Sequence, residues 1–354
     1  MTDVKGATAA AGKPAAAVAP QPEQPEWPGR LKPRSGFLIR LLSSVLAFVR
    51  SHRKFFELVV LIGPPLVLFV AFVLVPILIS AYYGLFNWTG YGPPSGFDGL
   101  HNYRLALDNP LFRQSLVHNL IIALLSLVIQ LPISIGIALL LNRRMFGSSF
   151  LRVAVFAPYV VSQATTAVLW LLLLEPEGLD GKGGGLVDVL MKEAGLGSAV
   201  HTWLADPTLV LYSMFVVLTW QFIGFGIILL LAGLQGIPPE LHEAASIDGA
   251  SGWQTTRHIT LPLLGPTIRI WIFLSMIGSL QVFDLVWIMT LGGPANGSQT
   301  MVSYMIFYGF RSEEYGYGSA VAVILFVISF AFAYLYQRFA LRRDTEGALT
   351  RAVQ

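Results

Sequence analysis

Asp284 is the acidic side chain set deepest in a long apolar stretch, within SLQVFDLVWIMT. A carboxylate at the centre of a hydrocarbon layer costs about 2.5–3.5 kcal/mol on insertion scales, so the position calls for a use. Gln281 and Trp287, three residues to either side, share one helical face with Asp284, and Ser279 and Phe283 lie on other faces. A carboxylate, an amide and aromatic rings suit a polyhydroxylated ring: the polar groups pair with hydroxyls and the aromatic faces cover the apolar side. The same Asp284 would also serve as a structural carboxylate bonded to a neighbouring helix, or as a proton relay. A second group, Trp220, Gln221, Gly224 and Phe225 in LTWQFIGFGI, offers similar chemistry, although Gly224 and Gly226 would equally permit close helix packing. Asn119, Gln130, Gln163, Thr165 and Thr166 are further candidates for lining a path.

The elements that must position these residues are membrane helices. The chain has 354 residues, 55% hydrophobic and 12% charged, whereas a soluble domain is about 25% charged. Six apolar runs, near 58–82, 117–141, 151–174, 209–235, 265–290 and 319–341, each reach the length of roughly 20 residues that a span needs. No alternation over about ten residues supports strands. The expected fold is an all-α integral membrane protein with six transmembrane helices. Pro64, Pro65, Pro76, Pro132, Gly136, Pro158, Gly224 and Gly226 fall inside the runs and predict bent, closely packed helices.

Several chemistries are excluded. Cysteine is absent, which removes disulfides and thiolate metal sites. The six His show no HExxH spacing, and no GxxxxGK[ST] loop occurs. No metal or cofactor is expected, no catalytic constellation marks an enzyme, and any ATP-derived energy must come from another chain. The net charge of +3 does not indicate nucleic acid. With the N-terminus inside, 18 of the 23 Lys and Arg fall in inside segments, which follows the positive-inside rule. Both termini and the segment 238–266 then lie in the cytoplasm. Residues 1–35 read as a disordered cytoplasmic tail with no signal peptide. Residues 36–54 read as an amphipathic helix, lying in the lipid interface or packed on the core. The six-span domain covers 55–342, and 343–354 form a cytoplasmic tail.

Segment 238–266, PPELHEAASIDGASGWQTTRHITLPLLGP, is polar between two spans. Pro239 suits a first helical turn, Gly249 a stop, and Ser251 the cap of a second helix through Trp253 to Ile259. Pro262 disfavours helical geometry at Leu261.

This segment resembles the EAA loop of permease subunits of binding-protein-dependent ABC importers, placed here at 236–264. The matching residues are Glu243, Ala244, Ala245, Asp248, Gly249, Ile259, Leu261 and Pro262. The runs LRVAVFAPYVVSQATTAVLWLLLL, TWQFIGFGIILLLAGLQGIPPEL and QVFDLVWIMTLGGPANGSQT resemble the maltose and glycerol-phosphate branch. The resemblance implies a type I importer fold in a bacterial cytoplasmic membrane. It implies as partners a second permease, forming a heterodimer, two ATP-binding subunits, an extracytoplasmic binding protein and a carbohydrate cargo. It also implies that Glu243 meets a basic residue of the ATPase, that Ala244 and Ala245 keep the helix thin enough to enter a cleft, and that Gly249 sets the turn. Gln221, Gly224, Phe225, Ser279, Gln281 and Asp284 are the expected path residues. A proton-coupled secondary transporter using Asp284 is the alternative.

Overall fold

The computed structural model describes residues 53–143, 146–175 and 184–341. The predicted tails at 1–35 and 343–354, and the predicted interfacial helix at 36–54 except its last two residues, lie outside them. The chain divides into two units, residues 1–68 and 69–354. The described part of the first belongs to helix Arg53–Phe69, an apolar helix with Pro64 and Pro65 inside it.

Five stretches among the described residues are long and apolar enough to span a membrane: Glu57–Tyr83, Pro110–Leu141, Val210–Gln235, Gly265–Met289 and Tyr315–Leu341. The helix pair Ser148–Val160 and Gln163–Leu173 makes a sixth when taken together. In chain order this pair is the third span. No strand occurs among the described residues beyond an isolated bridge, Phe86 with Phe97.

In the second unit the fourth span, Val210–Gln235, is the central pillar, with 14 of its 26 residues buried. Its first half packs Met214, Val217 and Leu218 with Ala167, Leu285 and Val286. Its second half packs Ile227, Leu230 and Leu234 with Ala138, Leu264 and Trp271. A methyl group on Gly224 would run into the backbone of Val155 and Phe156, and one on Gly226 into the Trp271 indole. These glycines therefore allow the neighbouring spans to touch the pillar. A third cluster, Phe112, Met301, Tyr304, Tyr317 and Val321, joins the second and sixth spans.

Three expectations need correction. The third run is not one helix: it bends by 99° between Val160 and Gln163. Val161 and Ser162 are extended, and the Ser162 hydroxyl caps the second half by accepting from the Thr165 N–H at 3.2 Å. The fifth run is also interrupted, so Gln281, Asp284 and Trp287 do not share one helical face. Helix Gly265–Leu280 ends, Gln281–Phe283 leave helical geometry, and Asp284–Met289 resumes. Side chains from elsewhere capture the freed carbonyls: Asn119 Nδ2 donates to Ser279 O at 2.6 Å and the Thr300 hydroxyl to Val282 O at 2.8 Å. Tertiary partners thus replace the ladder bonds that a local pattern assumes.

The third correction is at Leu261, which is helical at φ −63° and ψ −43° despite preceding Pro262. A π turn at Thr256–Thr260 supplies the reason, with the Leu261 N–H donating to Thr256 O. The wider turn takes up the bond pattern that a proline disrupts. The same device recurs at Val70–Leu74 before Pro76 and at Ser126–Gln130 before Pro132.

Candidate functional site

The loop segment is built by caps. The Leu241 and His242 N–H groups donate to Pro238 O and Pro239 O, starting helix Glu240–Ile247. Glu240 and Glu243 in its first turn suit the positive end of the helix dipole. At its far end the Ala250 N–H donates to Ala245 O at 2.9 Å and the Gly249 N–H to Ser246 O at 3.1 Å. This is a Schellman closure with Gly249 at φ +75°. Ser251 then forms a capping box with Gln254: its N–H donates to Gln254 Oε1 at 2.7 Å, and its hydroxyl accepts from Gln254 N at 3.4 Å. The helix that follows runs through the π turn at Thr256–Thr260 and Leu261–Leu263 to the start of the fifth span at Gly265.

Of the residues singled out in this segment, Glu243, Ala244, Asp248, Gly249 and Pro262 are exposed, Ile259 and Leu261 are half-buried, and Ala245 is buried. Sequence reasoning passed over Ile247 and Trp253, which are 87% and 69% exposed. Their signal was available, since large apolar side chains in a polar loop need a reason to be there.

The second candidate is a cavity of about 500 Å³. Three departures from α-helix open onto it. Ser126 and Gln130 come from the π turn in the second span, Tyr159 and Gln163 flank the bend in the third, and Gln281, Phe283 and Asp284 come from the interruption in the fifth. Irregular backbone at membrane depth is tolerated where it is buried in protein or lines a cavity. Ser275 and Ser279 add hydroxyls. The Tyr159 and Phe225 rings stack with centroids 5.1 Å apart and form an aromatic wall.

Of the expected path residues, Phe225, Ser279, Gln281 and Asp284 line this cavity. Gln221 and Gly224 support the bent third span instead. Gln221 Nε2 donates to the Val161 carbonyl, freed at the bend, at 3.1 Å. Gly224 packs on Val155 and Phe156. Among the further candidates, Gln130 and Gln163 line the cavity, whereas Asn119 is a buried clamp. Its Nδ2 donates to Ser279 O, and its Oδ1 accepts from the Met301 N–H at 2.9 Å. Thr165 bonds within its own cap, its hydroxyl 2.8 Å from that of Ser162. Tyr159 and Ser126 were missed because nothing in the local pattern announces which residues a bend brings together.

The family profile described as "Binding-protein-dependent transport system inner membrane component" matches residues 130–345. The multiple sugar-binding transport system permease protein MsmF of Streptococcus mutans is 34% identical over 264 residues, covering 75% of this chain and 88% of its own. The trehalose/maltose transport system permease protein MalF of Thermococcus litoralis is 32% identical over 285 residues, covering 80% of this chain and 94% of its own. A crystal structure of a bacterial alginate ABC transporter, in complex with an alginate pentasaccharide-bound periplasmic protein, contains a chain of the same fold. Its TM-score is 0.70 at 21% identity, covering 83% of this chain and 97% of that one.

Proposed function

On the premise that this chain belongs to the binding-protein-dependent transport system inner membrane components, we propose that it carries a di- or oligosaccharide through the cavity beside Asp284. As a member of that family it is a multi-pass membrane permease subunit of an ABC importer, a transport protein rather than an enzyme. The family supports this ATP-driven reading and not the proton-coupled alternative. The carbohydrate reading draws on the sugar systems of the two relatives and on a cavity that combines amides, hydroxyls and aromatic rings.

In this reading the chain pairs with a second, different permease and two ATP-binding subunits, and a binding protein docks on the outer face. Both termini and the loop 236–264 face the cytoplasm. Glu243, Ala244, Ala245, Asp248 and Gly249 engage the ATPase, joined there by Ile247 and Trp253. Ile259, Leu261 and Pro262 pass its motion to the fifth span.

The observation that carries the proposal is the loop helix: it is closed at its end by Gly249, and only the capped turn at Ser251 separates it from the helix entering the fifth span. Valine at Gly249 would have to adopt the left-handed region, at a cost of about 1–2 kcal/mol. Glu243→Lys and Gly249→Val are expected to reduce co-purification of the ATP-binding subunits and abolish ATP-driven uptake, with membrane insertion unchanged. Normal uptake by both variants refutes the assignment.

A further inference from the structure

We infer that the cavity selects uncharged saccharides and rejects anionic ones, and that Asp284 is the residue that sets this preference. The inference rests on reading the cavity as the saccharide passage. Among the described residues that line it there is no Lys, Arg or His, and Asp284 is the one ionisable carboxyl group. Its other polar side chains are Gln130, Gln163, Gln281, three serines, the Tyr159 hydroxyl and the Trp271 indole. Amides and hydroxyls donate to and accept from sugar hydroxyls, so an uncharged ring can exchange its water for them.

A uronate or phosphorylated sugar meets different conditions. Its anion gives up hydration without an ammonium or guanidinium to replace it. It also enters beside a carboxylate, since Asp284 and Gln281 both present exposed side chains at the interruption in the fifth span. At an effective dielectric constant of about 20, like charges as far as about 12 Å apart still repel enough for a discrimination on the order of tenfold, and closer approach raises it.

The test uses the assembled transporter without its binding protein, so that the cavity alone is read. Equilibrium dialysis compares maltose, cellobiose and mannobiose with the same disaccharides oxidised at C6 to the uronate. At least one neutral sugar should be retained, with its uronate bound at least about tenfold more weakly. Asp284→Asn should bring that ratio to within about threefold, and Gln281→Lys should reverse it. Equal retention of a neutral sugar and its uronate by the wild type overturns the inference, as does an unchanged ratio in Asp284→Asn. Retention of no sugar at all overturns the cavity reading and this inference with it.

Discussion

At the residue scale, side chains of similar chemistry have separated into two jobs. Asn119 and Gln130 lie eleven positions apart in one span, and both are buried amides. Gln130 faces the cavity, while Asn119 bonds to two other elements. Their types were legible in the sequence as polar groups needing a reason. Which reason applied depended on contacts 160 and 182 residues away, which no local spacing reports. Removing the amide strands a buried carbonyl and a buried N–H, each worth about 1–3 kcal/mol. Asn119→Ala should therefore destabilise the protein by roughly 2–6 kcal/mol, seen as a lower thermal midpoint of the purified transporter. An unchanged midpoint would show that the clamp is dispensable. Asp284 shows the opposite limit: it was legible as a polar group needing a reason, but the helical face assigned to it was not found, because Thr300 and Asn119 hold the chain open beside it.

At the element scale, most span positions were legible from composition, because roughly 20 apolar residues in a row have few other solutions. Prolines marked irregularity but not its form. Before Pro76, Pro132 and Pro262 the chain inserts a π turn and continues, whereas Pro158 is followed by an outright bend. Glycines were equally ambiguous. Gly136 and Gly224 both sit inside helices, yet a methyl group on Gly136 meets nothing within 4 Å while one on Gly224 strikes the Val155 carbonyl. Gly136→Ala should be neutral or raise stability by up to ~1 kcal/mol. Gly224→Ala should lower it by about 1–3 kcal/mol through overpacking. Thermal unfolding of the two variants side by side checks the contrast, and equal midpoints would remove Gly224 from the packing account.

At the scale of the whole molecule, the absence of cysteine makes topology directly measurable. Ile247 in the loop segment is 87% exposed, and Tyr91, in the connection after the first span, is 74% exposed. If the termini are cytoplasmic, Ile247→Cys in the permease produced without its ATP-binding subunits should escape a membrane-impermeant maleimide in intact cells and react in inside-out vesicles, with Tyr91→Cys behaving in reverse. Labelling of both from the same side would rule out the proposed orientation. The Asn119 bond to Ser279 O has a mechanical meaning at this scale as well. It pins one end of helix Gly265–Leu280, while the other end continues into the loop segment. Under the proposed function that helix acts as a lever with Asn119 as its fulcrum. Sixteen residues at ~1.5 Å each give an arm of about 24 Å, so a tilt of ~10° about the pin sweeps the loop end through about 4 Å. The interruption at Gln281–Phe283 lies just beyond the fulcrum. On that reading a large stroke at the loop would arrive at Gln281 and Asp284 as a small rotation, geared down where fine adjustment of a bound ring matters most.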